Sequence, residues 1–402
     1  MTQYTDRSRY LAGHRCEWER LLNYHAFGTG LSRLAQVAPL ATGIAIHSAL
    51  EAILRAWKDP AAHSNSPKFD YPAIIGPSVD AYREIVTHRG LEGYASDEAW
   101  DQVALAEALP LAYARVCEDW FKEEFDLLSI EEEMPYPVND SLTWMTRSDF
   151  VTYVKTLGTH AVHDFKSASS WYPDNETQWR DNLQMMVNGY VAGKKLGVPV
   201  THYYIHILVK GNKRSPSPIV KPWYQPANPP MQIEDFRFKY KTVDPNSGKN
   251  IYTPKSYQRT PVRDIVGDDN VGKFVMETVP LDALRDSIIV IGPFGIDNAK
   301  VEKFLRGLPW HEQRWQARME RIEDEWLSKA AGPLDTLWTT QWPKRDFQNF
   351  LDEQFPRTYD CFKFGGQKCG YYNLCHEQPG WDNPLGNGEY EARTPHHTTE
   401  EI

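Results

Sequence analysis

The residues best suited to catalysis lie in two short segments in which polar and apolar side chains alternate. Asp149 lies in an SDFV segment, and Asp164 and Lys166 lie in an HDFK segment further along the chain. Side chains alternate between the two faces of a β-strand. A strand through the second segment therefore points Asp164 and Lys166 to one face and Phe165 into the core, which makes two carboxylates and an amine available to one reaction centre.

A hairpin between the two segments brings the carboxylates together. If the chain turns near Thr156 and Leu157, paired residues have numbers that sum to about 313, which sets Asp149 opposite Asp164. Two such carboxylates repel each other unless a cation lies between them, and Mg²⁺ or Mn²⁺ is the hard cation that carboxylates select. Lys166 adds a positive charge that can hold or deprotonate an attacking water and can stabilise a pentavalent phosphate. Phosphodiester hydrolysis requires both actions. Alone, an Asp-x-Lys triplet in a half-exposed hairpin also arises by chance.

Two further polar residues accompany this hairpin. His47 follows Gly43 by four positions at the start of a helical pattern, and it shares a helix face with Leu50 and Leu54, so it points inward. Gln184 opens a QMMV run in the helix predicted after the hairpin. Taken singly, an inward histidine is more often a satisfied core residue, and a glutamine is more often a surface amide.

Taken together, these residues resemble the RecB-type branch of the PD-(D/E)xK nucleases, which includes the CRISPR-associated exonucleases and the AddB nuclease subunit. The resemblance covers about Ser8 to Lys210 and the carboxyl-terminal cysteines. It is carried, in order and approximate spacing, by Gly43-x3-His47, Asp149, Asp164-x-Lys166 and Gln184. It implies a restriction-endonuclease-like core and exonuclease activity.

The resemblance also implies a role for each residue. The ligands of a divalent metal are His47, Asp149, Asp164 and the carbonyl group of Phe165. Lys166 is the catalytic lysine, and Gln184 positions the site. One residue of the Glu131–Glu133 run could face the metal, as an acidic residue does in some relatives. An exposed strand end is the favoured interpretation, so Glu131 is left out of the predicted site.

Four of the five cysteines form a second constellation. Cys361, Cys369 and Cys375 lie close together near the carboxyl end, and Cys16 lies far upstream. Four thiolates can hold zinc or a [4Fe-4S] cluster. Paired Cys-x2-Cys knuckles, which structural zinc usually uses, are absent, and one distant cysteine plus three clustered ones resembles the iron-sulfur staple of the same nuclease branch. Cys117 lies in an apolar helical pattern and is predicted to be a core residue.

Composition and charge restrict the class of protein. The chain has 41% hydrophobic residues, 14 Trp and 21 Tyr, which indicates a globular protein. The net charge is -10, but the segment from Lys210 to Arg263 has eleven Lys or Arg residues against three acidic ones. Such a basic segment is typical of a protein that binds the phosphate backbone of a partner such as DNA with a single-stranded end. A solvated charged loop accounts for it equally well. With no apolar leader or membrane span in the sequence, we expect a cytoplasmic protein without a membrane partner.

Periodicity predicts an α/β protein with helices in front of a mixed sheet. The predicted helices cover residues 8–27, 42–57, 77–86, 96–125, 176–196, 298–330 and 346–355. The predicted strands cover residues 129–138, 142–154, 159–166, 201–209 and 288–291.

Five regions follow along the chain. Residues 1–128 form an amino-terminal helical region with the first cysteine and the histidine motif, and residues 129–210 form the nuclease core. Residues 211–280 are a basic proline-rich insertion. Residues 281–375 form a carboxyl-terminal helical region with the cysteine cluster, and residues 376–402 are a disordered tail.

Three functions remain open at this point. The leading hypothesis is a metal-dependent DNA nuclease, in which exonuclease activity is implied by the resemblance alone. The main alternative is a catalytically silent iron-sulfur subunit that binds DNA or acts as a scaffold with the same fold. Because Asp149, Asp164 and Lys166 are all present, the first is favoured over the second. The third is a structural zinc protein whose acidic hairpin is incidental.

Overall fold

A computed structural model shows the parts of the chain that carry the predicted site. The residues that it describes are 3–26, 30–33, 38–63, 69–89, 96–171, 176–213, 223–224, 241–243, 250–252, 260–261, 271–277, 281–285, 287–327, 338, 342, 345–355, 369, 371, 374–375, 384–386 and 389–393. Most of the basic insertion, most of the predicted tail and Cys361 therefore lie outside the described residues.

Most of the described strands lie in the middle of the chain, and most of the described helices lie before residue 125 or after residue 270. The helices are α1 (Arg7–Arg15), α2 (Glu17–Tyr24), α3 (Ala38–Lys58), α4 (Pro60–His63), α5 (Tyr71–Arg89), α6 (Ser96–Glu124), α7 (Thr177–Arg180), α8 (Leu183–Leu196), α9 (Val271–Glu277), α10 (Leu281–Arg285), α11 (Asn298–Ile322), which continues into a π-helical turn (Glu323–Leu327), and α12 (Arg345–Gln354). The strands are β1 (Gln3–Asp6), β2 (Leu31–Arg33), β3 (Phe125–Asn139), β4 (Leu142–Val154), β5 (Thr159–Trp171), β6 (Val200–Lys213), β7 (Trp223–Tyr224), β8 (Lys241–Val243), β9 (Asn250–Tyr252), β10 (Thr260–Pro261), β11 (Ile288–Gly295) and β12 (Tyr390–Ala392).

The main sheet is mixed, as the sequence predicts. Its strand order is β1-β4-β5-β6-β11, and β3 pairs with β4. β4 and β5 are antiparallel, β5 and β6 are parallel, and β6 and β11 are antiparallel. The predicted hairpin register is confirmed, because Phe150 lies opposite His163 and Val154 lies opposite Thr159. Among the described residues of the basic segment, β7 pairs with β10 and β8 pairs with β9.

The chain divides into two compact units, each assembled from several segments. The first unit comprises Met1–Ala35, Glu133–Arg147 and Asp297–Ile402, and the second comprises Gln36–Glu132 and Ser148–Ile296. All the residues of the predicted metal site belong to the second unit, and the cluster cysteines belong to the first. Among the described helices, none is long and apolar enough to cross a membrane.

Helices cover both faces of the sheet in the second unit. α3, α5 and α6 share a buried core with Phe150 of β4 and Phe165 of β5. α8 packs on the opposite face, where a Cβ atom at Gly189 would lie 3.2 Å from the Val162 side chain and 2.3 Å from that of Ile296. Glycine is therefore needed where this helix meets the sheet. α8 ends at Gly197, whose φ of 69° is the left-handed conformation that glycine adopts at helix ends.

A chain of buried polar groups links β4, β5, β6 and α6 behind the predicted site. The Thr152 hydroxyl and His163 Nε2 are 2.8 Å apart, His163 Nδ1 and His206 Nε2 are 2.9 Å apart, and His206 Nδ1 lies 3.0 Å from the Tyr113 hydroxyl. The His163 ring also stacks between Phe150, at 4.3 Å, and Tyr204, at 4.9 Å between ring centroids. Burial lowers the pKa of His163 well below 6.5 and that of His206 to about 3, so both imidazoles are neutral in the folded protein.

An aromatic core holds the first unit together. Trp18 of α2, Trp315 of α11, Phe347 of α12 and Tyr390 of β12 are among its buried members. β12 pairs with β2, and the Tyr390 ring stacks on Tyr371 at an interplanar angle of 15°. This part of the predicted tail is therefore packed into the unit, which differs from the expected disorder because Tyr390 buries an aromatic ring there.

Three further differences from the predicted elements have physical causes. The single helix expected over 8–27 is two helices, because Cys16 has an extended backbone with φ of −157° between them. α5 begins before Pro77 because Tyr71 and Ile75 are buried, so packing outweighs the hydrogen bond that proline cannot donate. β1 was not predicted: it is four residues long and pairs in parallel with the start of β4.

We expect His206→Gln to lower the free energy of unfolding at pH 7.5 by about 1–3 kcal/mol, because it leaves buried partners without hydrogen bonds. This loss of unfolding free energy in the variant should become smaller as the pH falls. The pKa of His206 is about 3 in the folded protein against 6.5 ordinarily, so below pH 6.5 the unfolded wild-type chain takes up a proton that the folded one does not. Stability from this group is complete above pH 6.5 and falls below it by up to about 1.4 kcal/mol per pH unit.

Urea denaturation at pH 7.5 and 5.5 measures this effect. The difference between wild type and His206→Gln should narrow by about 1.4 kcal/mol over that interval. His202→Gln, on the same strand but only half-buried, is the matched control for removal of an imidazole from β6. A difference between wild type and His206→Gln that is equal at the two pH values would mean that His206 does not stay neutral in the folded protein.

Candidate metal and catalytic site

Three ligating groups from three different elements meet in the second unit. They are His47 of α3, Glu131 of β3 and Asp149 of β4, and one ligand atom from each lies within 4.8 Å of the other two. His47 Nδ1 is 3.5 Å from Asp149 Oδ2. One imidazole nitrogen and two carboxylates form a donor set that suits a hard divalent cation such as Mn²⁺ or Mg²⁺.

The helix that carries His47 comes close to β5 at Gly43. A Cβ atom built at Gly43 would lie 3.4 Å from the Ser167 hydroxyl of β5. One helical turn later, the His47 ring contacts the Phe165 ring edge-on, with 6.1 Å between centroids. The glycine and histidine of the Gly-x3-His motif thus both lie against β5, which positions the imidazole beside the strand that bears Asp164.

The structure includes Glu131, which the sequence analysis left out of the site. Its backbone has a φ of 49°, a conformation that is uncommon for residues other than glycine. The strained backbone interrupts the ordinary alternation of side chains along β3. Alternation alone therefore cannot identify which of three consecutive glutamates points toward His47. The run of three glutamates does indicate that a carboxylate ligand could come from this part of β3.

The two aspartates occupy different environments although they are neighbours. Asp149 Oδ2 accepts a hydrogen bond from the Phe165 backbone N–H and faces His47. Burial favours the neutral acid, but His47, Lys166 and this N–H together outweigh burial and lower the pKa of Asp149. Asp149 is therefore ionised at neutral pH.

Asp164 forms an ion pair with Lys166. Its side chain is 5% exposed, whereas that of Lys166 is 32% exposed. Burial and the charge of Asp149 outweigh the attraction of Lys166, so the pKa of Asp164 is raised. The carboxylate of Asp164 is turned to the lysine and does not belong to the ligand group described above.

His47 balances the charge of Asp149. Burial lowers the pKa of His47, but the hydrogen bond and charge of Asp149 act more strongly, so the pKa lies above its usual value. A cation at this position would replace a proton held between an imidazole and a carboxylate, which is the usual coupling between metal binding and proton release.

Of the predicted site residues, the structure brings together His47, Asp149, Asp164, Phe165 and Lys166. The Phe165 contact is made by its N–H, to Asp149, and ligation by its carbonyl remains a prediction. Gln184 lies half-buried in the first turn of α8, and among the described residues none hydrogen-bonds its amide. By strand alternation Asp164 and Lys166 share the face of Val162, which α8 covers, so Gln184 starts the helix on their side of the sheet.

The predicted cluster cysteines that the structure describes share one core. Cys16, Cys369 and Cys375 all pack against the aromatic core of the first unit. Burial opposes ionisation of Arg15, but Glu19 and then the thiols of Cys369 and Cys16 favour the charged form, so the pKa of Arg15 is raised. Both ends of the chain therefore supply cysteines to one region, although Cys361 lies outside the described residues.

Glu131→Gln should weaken Mn²⁺ binding by at least about tenfold, since loss even of the partners that orient metal ligands costs about 10–100-fold. Glu132→Gln is the matched control, because Glu132 is the adjacent, similarly half-buried carboxylate outside the ligand group. Titration of Mn²⁺ followed by electron paramagnetic resonance measures both affinities. Equal affinities for the two variants would exclude Glu131 as a ligand.

Comparison with known proteins assigns no family to the chain. A search against models of protein families found no match, and a search of curated proteins found no significant sequence similarity.

Proposed function

We propose that the protein is a divalent-metal-dependent DNA nuclease that hydrolyses phosphodiester bonds, with exonuclease rather than endonuclease activity taken from the sequence resemblance. The observation that carries the proposal is the meeting of His47, Glu131 and Asp149 within 4.8 Å of one another beside the Asp164–Lys166 pair. One imidazole and two carboxylates that converge from three different elements form a preorganised donor set for a single divalent cation.

The residues divide into a metal-holding group and a group that faces the substrate. His47, Glu131 and Asp149 would hold Mg²⁺ or Mn²⁺, with Asp164 as a further ligand. The bound cation supplies charge stabilisation at a phosphoryl oxygen and lowers the pKa of water. These are the requirements of phosphodiester hydrolysis at neutral pH.

Lys166 is placed to act on the substrate. About a third of its side chain is exposed, whereas its partner Asp164 is buried. A partly exposed ammonium group held by a buried carboxylate is fixed in position and still accessible to a phosphate. In the proposed reaction Lys166 orients the attacking water and stabilises the negative charge that develops on the phosphate.

The fold supports the same proposal. An antiparallel hairpin carries Asp149 and Asp164, and α8 then leads from β5 to the parallel strand β6. This arrangement of a catalytic hairpin followed by a helix and a parallel strand suits the restriction-endonuclease-like core that the sequence resemblance implies. DNA as the substrate rests on that resemblance and on the basic segment from Lys210 to Arg263.

The arrangement of the clustered cysteines favours ligands of a [4Fe-4S] group over ordinary thiols of a hydrophobic core. Cys16, Cys369 and Cys375 lie against one aromatic core, and Cys361 is proposed as the fourth ligand. Cys117 differs, because burial raises its pKa to about 12 within the core of the second unit. The cluster's proposed role is structural: it ties the first helices to the carboxyl-terminal segment.

Lys166→Ala should reduce Mg²⁺- or Mn²⁺-dependent cleavage of DNA by at least about a hundredfold, since removal of a group that stabilises transition-state charge costs about 10²–10³ in rate. DNA affinity should change little. The measurement is cleavage of end-labelled single- and double-stranded DNA, with EDTA as the metal-free reference.

Lys155→Ala is the matched control for this experiment. Lys155 follows β4 in the same hairpin and forms a surface ion pair with Asp126, so its loss should leave cleavage unchanged. Equal cleavage by wild type and Lys166→Ala would refute the proposed catalytic site. Absence of cleavage by wild type with either metal would instead favour a DNA-binding subunit without nuclease activity.

Cys369→Ala should lower iron content and the melting temperature together, because ligands from both chain ends convert binding energy into folding energy. Cys117→Ala should retain the iron, although it removes buried sulfur from the core. Iron and zinc analysis with the visible absorption spectrum provides the measurement. Full iron content in Cys369→Ala, or zinc in place of iron in wild type, would exclude the proposed iron-sulfur ligation.

A further inference from the structure

A cavity in the first unit is unrelated to the candidate nuclease site. It has a volume of about 320 Å³ and is lined by residues of α1, α2 and α11, among them Glu17 and Trp315. This volume lies at the lower end of the range of about 300–1,000 Å³ that is typical of small-molecule sites. The polar and aromatic residues that give it a chemical character are Tyr10, His14, Arg20, His311, Arg314 and Arg318.

One of the three arginines is buried without using all its hydrogen bonds. The Arg20 side chain is 4% exposed and pairs with Glu312, but its Nε has no hydrogen-bond partner among the described residues. Gly13 makes room for this side chain, since a Cβ atom there would lie 3.0 Å from Arg20 Cδ. Burying an N–H donor without a partner costs about 1–3 kcal/mol, so this guanidinium has capacity for a further acceptor.

The other two arginines add positive charge at the cavity. Arg318 forms an ion pair with Glu17 through one of its nitrogen atoms, which leaves its remaining donors available. Arg314 is exposed and forms no ion pair with any residue that the structure describes. Three guanidinium groups thus face two paired carboxylates, and the excess positive charge favours an anion with several acceptor oxygens.

Aromatic rings continue from the cavity to the surface. His14 lies 4.3 Å from Tyr10 and 4.9 Å from His311 between ring centroids. Trp310, next along α11, is 60% exposed and contacts the His311 ring at 4.8 Å. The Arg314 guanidinium lies 5.9 Å from the Trp310 ring centroid. An exposed indole beside an arginine with no ion pair presents a flat stacking surface next to an anion-binding group.

We propose that this cavity binds a nucleoside monophosphate unit, with its phosphate held by Arg20, Arg314 and Arg318 and its base stacked on Trp310. A phosphate offers the several acceptor oxygens that planar guanidinium groups bind in pairs, and a nucleobase offers the flat ring that an exposed tryptophan stacks. The proposal goes beyond the nuclease assignment, because neither a divalent metal nor the Asp164–Lys166 pair takes part. The unit is either a free nucleotide or the phosphorylated end of a strand.

Calorimetric titration of the full-length protein in EDTA tests the proposal with three probes, namely deoxyadenosine monophosphate, deoxyadenosine and inorganic phosphate. The monophosphate should bind most tightly, with each partial probe weaker by on the order of tenfold. Arg314→Gln should weaken monophosphate binding about tenfold, the loss expected for one charge-assisted contact. Trp310→Ala should weaken the monophosphate and leave inorganic phosphate unchanged. Both residues are exposed, so both variants should fold.

Two control variants locate the binding. Arg306→Gln, an exposed arginine of α11 outside the cavity lining, should bind the monophosphate as wild type does. Lys166→Ala should also bind it unchanged, which separates this cavity from the nuclease site. Loss of binding in Lys166→Ala, absence of any monophosphate binding at millimolar concentration, or wild-type affinity in both Arg314→Gln and Trp310→Ala would each overturn the proposal.

A comparison of two oligothymidylates identifies the source of the phosphate. They have the same length, and one carries a 5′-phosphate where the other has a 5′-hydroxyl. Tighter binding of the phosphorylated strand, lost in Arg314→Gln, supports the strand end as the ligand. Equal binding of the two strands, together with binding of the free monophosphate, supports the free nucleotide.

Discussion

The burial of two carboxylates side by side is the constraint on which the second unit depends. Asp149 and Asp164 lie on the two strands of the hairpin beside the buried rings of Phe150 and Phe165, and each needs a counter-charge to remain ionised there. Asp149 has His47 and a backbone N–H, and Asp164 has Lys166. Loss of the positive charge of His47 or of Lys166 would leave a buried carboxylate without compensation. Such a loss typically costs more free energy than the ion pair itself contributes.

Neutral hydrogen-bonded groups support these charges from behind. His163 precedes Asp164 in β5, and its ring is fixed on both sides by stacked aromatic rings and at both nitrogens by hydrogen bonds. Since burial keeps His163 and His206 uncharged, they hold β5 against β6 without adding charge near the aspartates. The two carboxylates therefore stand on regular strands, which position side chains more accurately than loops do.

The hairpin could be predicted from the sequence because strand alternation and a single turn determine which residues pair. The same reasoning could not identify Glu131, whose positive φ departs from alternation, nor the break at Cys16, which falls within a continuous helical pattern. The cavity at Arg20 and Arg314 could not be predicted either, because α2 and α11 are nearly three hundred residues apart in the chain. Local periodicity carries no information about such pairings.

The Asp164–Lys166 pair also bears on the proposed metal site. Asp164 forms an ion pair with Lys166 and lies outside the group formed by His47, Glu131 and Asp149. Under the proposed function, a divalent cation held by those three residues would give Asp164 a second counter-charge and would weaken the attraction between Asp164 and Lys166. The ammonium group of Lys166 would then be available to a phosphate. One buried carboxylate would thus couple the loading of the metal to the availability of the lysine, which follows from charge balance alone.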